Sequence, residues 1–152
     1  MTIVEICNLL RNELFDNGYE YGFYLNGKKY KPDMSQGFDS EYYRLSTTIY
    51  LVQDPCDTVR EKIGTCIDAV VVMKAILDER NICNKIWLLY SKEKNKAHTV
   101  LTFEAENKTV YLELTPQSGK PWYGKEIIYS CEEEFLEENE KNNYEQHAQH
   151  HC

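Results

Sequence analysis

The chain has 152 residues, of which 42% are hydrophobic and 28% are charged, and this size and composition predict one soluble globular domain. Its formal net charge of −8 disfavours binding to nucleic acid or to an anionic membrane surface, because both need a basic face. The start of the chain lacks the pattern of a secretory signal, and no apolar stretch is long enough to span a bilayer, so we expect a cytoplasmic protein.

The first thirty residues predict a helix followed by a hairpin. Residues 3–15 place apolar side chains on one side of a helix, and Asn17-Gly18 is a typical stop signal. The segment "YGFYLNGKKYKP" contains Asn26-Gly27, a pair that favours the positive-φ turn of a two-residue hairpin. We therefore expect two short antiparallel strands directly after the first helix.

The next thirty residues have weaker signals. Residues 31–43 are polar and irregular, and residues 43–52 are predicted as a strand because of their β-branched and aromatic side chains. Asp54-Pro55 ends that strand, and Asp57 is expected to cap a short helix that runs through Lys62.

The second half of the chain predicts one long helix and three consecutive strands. The helix covers residues 66–80, and the strands are predicted at 84–91, 97–105 and 108–115. A second helix is predicted over 125–141. This order favours an α+β fold with a central helix packed on an antiparallel β-sheet.

The domain is expected to span residues 1–140. Residues 141–152 are predicted to be a disordered polar tail, because the segment before them is dominated by glutamate and has little apolar support. Three of the four histidines lie in this tail, at positions 147, 150 and 151. His98 is therefore the histidine that a folded site would use.

The six cysteines are expected to be free thiols in a reducing compartment. The sequence has no Cys-x-x-Cys pair, which disfavours a zinc ribbon or a thioredoxin-type motif. Cys66 differs from the others because it stands where the long helix begins.

The sequence "GTCID" places Cys66 at the start of a capped helix. Thr65 and Asp68 match the capping box, in which each side chain bonds the backbone N–H of the other residue. The helix N-terminus stabilises an anion and offers N–H groups to a developing oxyanion. Gly64 is expected to let a substrate backbone approach closely. The alternative is that Cys66 is a buried core thiol, as free cysteines commonly are.

A nucleophilic thiol needs a histidine, and the histidine needs a group that orients it. His98 opens a predicted strand, and Glu113 lies on the next one. With the hairpin turn near residues 106–107, residues whose numbers add to about 213 face each other, so that Glu113 is a diagonal neighbour of His98 on the same face. A slip of one residue would put the two side chains on opposite faces.

The segments "GTCIDA" and "AHTVLTFEAENKTVYLELTP" resemble the transglutaminase-like superfamily of papain-like cysteine enzymes, in the form of a small bacterial-type member. Those domains carry a cysteine at the start of a central helix, a histidine opening a following strand and an acid, usually aspartate, on the next strand. The resemblance covers residues 55–120. Glutamate replaces the commoner aspartate here, and Leu-Thr-Pro stands where Asp-Pro-Thr is common.

The resemblance implies acyl transfer through a thioester, either amide hydrolysis or transfer to another acceptor, on a peptide, protein or small amide substrate. Cys66 would be the nucleophile, His98 the general base and acid, and Glu113 the orienting carboxylate. The oxyanion donors would include the Cys66 backbone amide and an upstream side chain, with Gln53 and Tyr50 as candidates.

Trp122 follows the acid-bearing strand closely enough to contact a substrate, and it is equally suited to packing. No cofactor is implied.

Two other interpretations remain open. The same scaffold could be a catalytically inactive module that binds a peptide or protein. The tail segment "HAQHHC" has the ligand types of a zinc or nickel site, although no supporting groups are evident around it and we expect no metal in the protein. The sequence leaves the oligomeric state open.

Overall fold

The structure is a computed structural model that describes residues 1–93, 95–115, 123–141 and 145–148. The helices of this part of the chain are α1 (Ile3–Glu13), α2 (Ser40–Thr48), α3 (Pro55–Glu61), α4 (Cys66–Glu79) and α5 (Glu132–Lys141). Its strands are β1 (Glu20–Tyr21), β2 (Phe23–Leu25), β3 (Lys28–Tyr30), β4 (Ile63–Gly64), β5 (Asn84–Ser91), β6 (Lys96–Ala105), β7 (Lys108–Leu112), β8 (Glu126–Tyr129) and β9 (Glu145–Ala148).

The strands form one large sheet and two small pairs. The large sheet has the order β8-β7-β6-β5-β9, and each neighbouring pair is antiparallel. The small pairs are the parallel β1 and β4 and the antiparallel β2 and β3. The predicted hairpin at Asn26-Gly27 is thereby confirmed, and both residues have the positive φ that the turn requires.

Helices cover both faces of the large sheet. Along β6, Leu101 and Phe103 pack with α1 and α4 in one core cluster, whereas Val100 packs with Phe135 of α5 in a second cluster. Because successive side chains of a strand point to opposite faces, these clusters lie on the two sides of the sheet. The buried positions of α4 are Asp68, Ala69, Val70, Val72, Met73 and Leu77. The α+β class is confirmed, with α4 on an antiparallel sheet.

The register between β6 and β7 is the one that the sequence predicts. Thr102 lies opposite Tyr111, and Ala105 lies opposite Lys108. The start of β6 and the end of β7 therefore lie at the same end of the sheet. Since β5 runs antiparallel to β6 and follows α4 through a short connection, the N-terminus of α4 lies at this end as well.

Residues 43–52 do not form the predicted strand, because most of them belong to α2. Asp39 caps this helix, and its Oδ1 accepts a hydrogen bond of 2.9 Å from the backbone N–H of Tyr42. The hydroxyl groups of Thr47 and Thr48 donate to carbonyl oxygens one turn earlier in the helix. The cap and these local bonds override the β propensity of the segment.

The short helix α3 forms as expected but begins at a different residue. Asp54, not Asp57, is the cap, and its Oδ1 accepts from the backbone N–H of Cys56 at 2.9 Å. Pro55 occupies the first turn, where its missing N–H costs nothing. The Asp-Pro pair that was expected to end a strand therefore starts a helix.

The C-terminal prediction is wrong in two places. The segment 125–141 is not one helix, because residues 126–129 form β8 before α5 begins. The tail predicted to be disordered contains β9, which pairs with β5 at the edge of the sheet. The other residues of the predicted tail, apart from the last residue of α5, lie outside the described residues.

The structure bears on two expectations, the absence of a membrane-spanning segment and the presence of free cysteines. Within the ranges that the structure describes, no helix has the length and apolar character needed to cross a membrane. Cys7, Cys56, Cys66 and Cys131 are free thiols as expected, whereas Cys83 is disulfide-bonded, which the sequence did not predict.

Candidate active site

The N-terminus of α4 is fixed by the predicted capping box. The backbone N–H of Thr65 donates to Asp68 Oδ2 at 2.8 Å, and the backbone N–H of Asp68 donates to Thr65 Oγ1 at 3.4 Å. Cys66 is the first residue of the helix, and its thiol is free and partly exposed. A free thiol therefore lies at the positive end of a helix dipole.

Asp68 also holds the chain segment that precedes α3. Its Oδ1 accepts from the backbone N–H of Gln53 at 2.8 Å and from the hydroxyl of Tyr50 at 3.0 Å. Burial raises the pKa of this fully buried carboxyl above its usual range, and the hydrogen bonds from Thr65, Gln53 and Tyr50 offset only part of that effect. Asp68 thus serves as a structural cap that joins two segments around Cys66.

Gly64 is required by packing and not by substrate access, contrary to the expectation from sequence. A Cβ added at this position would lie 2.5 Å from the hydroxyl oxygen of Tyr19 and 2.7 Å from the Cβ of Asp68. The Tyr19 hydroxyl in turn donates to the carbonyl oxygen of Thr65 at 2.8 Å. The space beside Gly64 is filled by side chains that hold the start of α4.

The structure brings His98 and Glu113 together at the end of the sheet where α4 begins. The Nε2 of His98 lies 2.5 Å from Glu113 Oε2. The Glu113 side chain is 7% exposed and the His98 side chain 23% exposed, so the ring is the member of the pair that solvent can reach. Glu113 follows directly after the last residue of β7.

Glu113 is held by two further donors. The hydroxyl of Tyr111 donates to Oε2 at 2.9 Å, and the backbone N–H of Thr115 donates to Oε1 at 3.1 Å. Burial raises the pKa of Glu113, but the hydrogen bond and charge of His98 and the bonds from Thr115 outweigh it and hold the pKa below its usual range. Glu113 is therefore an ionised carboxylate with a fixed orientation at neutral pH.

The imidazole of His98 links this carboxylate to the thiol. Burial lowers the pKa of His98, but hydrogen bonds to Cys66 and Glu113 and the charges of both partners raise it to about 9. Because Glu113 occupies Nε2, Nδ1 is the ring nitrogen left for Cys66. An imidazole that is hydrogen-bonded to a carboxylate thus lies beside a thiol, the arrangement that activates a cysteine nucleophile.

The side chains suggested as oxyanion donors are already used in structural bonds. The Nε2 of Gln53 donates to Thr58 Oγ1 at 2.8 Å and to the carbonyl oxygen of Ile63 at 2.9 Å, so both of its hydrogens are committed. The hydroxyl of Tyr50 lies 2.9 Å from Thr65 Oγ1 and donates to Asp68. Both side chains are thus engaged in structural hydrogen bonds, and their suggested role as oxyanion donors stays a prediction. Trp122 lies outside the described residues.

Sequence reasoning missed an aromatic cluster beside the thiol, made of Tyr21, Phe23, Tyr30, Tyr42 and Tyr50. Phe23 lies at its centre, with ring centroids 4.8 Å from Tyr30, 5.5 Å from Tyr50 and 5.8 Å from Tyr42. The number of tyrosines, 12 in all, was the available signal. It does not show which of them meet, because they come from three separate segments.

No group of three or more histidine, cysteine or acidic side chains that could hold a metal ion occurs among the residues whose side chains are described. In the "HAQHHC" segment, the backbone of His147 belongs to β9. His150, His151 and Cys152 lie outside the described residues.

Comparison of the chain with models of known protein families, with curated proteins and with solved structures finds no match in any of the three. The chemistry of this site is therefore inferred from its own residues.

Proposed function

We propose that the chain is a cysteine-dependent acyl-transfer enzyme that hydrolyses an amide or transfers its acyl group through a thioester on Cys66. The observation that carries this proposal is the hydrogen bond between Glu113 and His98, whose imidazole interacts with Cys66 at the N-terminus of α4. A histidine that only packed in the core would not need an ionised carboxylate on one side and a thiol on the other.

The proposed reaction proceeds from an ion pair in which His98 holds the proton of Cys66, as the raised pKa of the ring allows. The sulfur attacks the carbonyl carbon of the substrate, and a new C–S bond forms while the oxygen becomes negatively charged. His98 then gives its proton to the leaving amine as the C–N bond breaks, which leaves a thioester on Cys66. Water or another acceptor attacks the thioester, His98 takes its proton, and the Cys66 sulfur leaves.

The other groups of the site have supporting roles in this proposal. Glu113 orients the imidazole and stabilises the imidazolium that forms. The free N–H groups at the start of α4 are suited to stabilise the oxyanion. Asp68 and Thr65 fix the position of the helix from which the sulfur projects.

The sequence resemblance to transglutaminase-like enzymes supports the same assignment of roles. The glutamate that replaces the commoner aspartate reaches the histidine, with a separation of 2.5 Å. We propose a peptide, a protein or a small amide as the substrate class, because the resemblance implies an amide or related acyl group.

The test is the rate at which iodoacetamide alkylates each cysteine at pH 7, followed by mass spectrometry of the cysteine-containing peptides. Cys56 and Cys131 are exposed free thiols and provide internal controls, whereas Cys66 is only partly exposed. We expect Cys66 to react about tenfold faster than either of them, because a paired thiol is activated despite its lower exposure.

The variant His98→Ala is expected to remove this advantage and to leave the rates of Cys56 and Cys131 unchanged. If Cys66 reacts no faster than the exposed thiols, or if His98→Ala leaves its rate unchanged, the proposal is wrong. The chain would then be better described as an inactive binding module.

A further inference from the structure

The hydroxyl of Tyr42 is buried and has no hydrogen-bond partner among the residues that the structure describes. Buried polar groups in proteins are nearly always paired, so an unpaired one calls for a specific reason. The ring of Tyr42 is held in place, with centroids 5.8 Å from Phe23 and 6.4 Å from Tyr21. The hydroxyl is therefore fixed in position without being used for structure.

Tyr42 is linked to the start of α4 through the ring of Tyr21. Its neighbour Tyr21 lies opposite Gly64 in the β1–β4 pair, two residues before Cys66. Burial raises the pKa of Tyr42, and the charges of Tyr21, Asp68 and Cys66 raise it further. The hydroxyl consequently keeps its proton at neutral pH and can act as a hydrogen-bond donor.

The neighbouring polar side chains already use their hydrogen-bond donors within the protein. Tyr19 donates to the carbonyl oxygen of Thr65, and Tyr50 is bound to Thr65 and Asp68. The side-chain amide of Gln53 has both hydrogens in bonds. Tyr42 alone of these four carries a buried donor that is not already paired within the part of the chain described.

We propose that the Tyr42 hydroxyl donates a hydrogen bond to the carbonyl oxygen of the acyl group that Cys66 attacks. This proposal rests on the proposed acyl-transfer function and adds a donor to the same site. The bond would strengthen as the carbonyl oxygen gains negative charge, which makes Tyr42 a catalytic residue that contacts the substrate. Its place among aromatic rings suits an uncharged acyl group.

The proposal predicts that two reactions of the same sulfur respond differently to Tyr42→Phe. Acylation of Cys66 by p-nitrophenyl acetate passes through an oxyanion, whereas alkylation by iodoacetamide displaces iodide at a saturated carbon and forms none. We expect the acylation rate to fall by about 100- to 1,000-fold, the range in which loss of one oxyanion donor lies. The alkylation rate is expected to stay within about twofold of wild type.

Tyr43→Phe is the matched control, because Tyr43 is the next residue of α2 and is 57% exposed. Both rates are measured on the full chain by mass spectrometry of the Cys66 peptide, and neither should change in the control. The thermal unfolding midpoint of Tyr42→Phe should be unchanged or higher, since no hydrogen bond is lost.

Three results would overturn the proposal: an unchanged acylation rate, an equal fall in both rates, or no acylation of the wild-type sulfur. Failure of the proposed function is separate, because it appears as alkylation of Cys66 that is insensitive to His98→Ala.

Discussion

Asp68 and Glu113 are two buried carboxylates that act on the same site in different ways. Asp68 accepts from the backbone N–H groups of Thr65 and Gln53 and from hydroxyl groups, and none of these donors changes its charge near neutral pH. Glu113 accepts from the ring of His98 as well as from Tyr111 and Thr115. The first carboxylate fixes a helix, and the second controls a group that can carry a proton.

The pKa directions of the two carboxyls reflect this difference. Burial raises the pKa of Asp68 because its donors are neutral and only partly replace the lost water. Burial also raises the pKa of Glu113, but the charge and hydrogen bond of His98 outweigh it and lower the pKa. The donors to the capping carboxylate, Asp68, are all neutral, whereas the orienting carboxylate, Glu113, accepts from an ionisable histidine. This difference distinguishes the two roles.

Replacing the carboxyl group with an amide at Asp68 and at Glu113 tests this difference between the two residues. We expect the larger loss of stability at Asp68. The N–H groups of Gln53 and Thr65 bind different oxygens of Asp68. In Asp68→Asn, one of them must face the amide NH₂ whichever way the side chain is turned. We expect a loss of about 2 kcal/mol in the free energy of unfolding, measured with urea, for this unpaired buried donor.

Asp78→Asn is the control for this change, because Asp78 lies in the last turn of the same helix with its side chain 49% exposed. It should cost less than about 1 kcal/mol. Equal losses for the two variants would contradict the assignment of Asp68 as the structural cap.

The corresponding change at Glu113 is expected to alter reactivity more than stability. In Glu113→Gln, the amide oxygen can stay on the N–H of Thr115, while the NH₂ group can donate to a neutral His98 ring and to the Tyr111 hydroxyl. The imidazolium loses its carboxylate partner, so the pKa of His98 should fall. We expect alkylation of Cys66 at pH 7 to slow about tenfold, with a stability loss below about 1 kcal/mol.

Glu104→Gln is the control on the neighbouring strand, where Glu104 is exposed and accepts from Thr109. It should leave the Cys66 rate unchanged. A Glu113→Gln variant that reacts as fast as wild type would show that the carboxylate does not act on the thiol through His98.

The sequence was sufficient to predict the parts of the site that depend on local patterns. The Thr65–Asp68 box follows from spacing within one helix turn, and the contact between His98 and Glu113 follows from the register of one tight hairpin. Both rest on short-range geometry, where periodicity leaves few alternatives. The class of fold follows from the same order of elements.

The remaining parts depend on contacts between distant segments. The sequence predicts an irregular segment through Tyr42 and then a strand from residue 43, because β-branched and aromatic side chains follow there, whereas the cap at Asp39 makes this part of the chain helical. The packing of Tyr19 against Gly64 joins residues far apart in sequence. Such contacts are decided by tertiary packing, which one sequence without its structure does not reveal.

The smallest expected effect is a pH dependence of the free energy of unfolding, which arises from His98, the ionisable partner of Glu113. The pKa of His98 is about 9 in the folded chain and 6.5 as its ordinary value, so protonation of the ring stabilises the fold. This contribution is complete below pH 6.5 and is lost as the pH rises through 9. Between pH 7 and pH 8 the free energy of unfolding should fall by about 1 kcal/mol.

His98→Gln isolates this contribution, because urea unfolding of the variant should lack the fall between pH 7 and pH 8. Asp68→Asn should keep the wild-type slope, since its carboxyl has no ionisable donor, whereas Glu113→Gln should flatten it by lowering the pKa of His98. The same slope in wild type and His98→Gln would mean that His98 is not held protonated by Cys66 and Glu113. The distinction between the two carboxylates would then be lost, since neither would act on an ionisable partner.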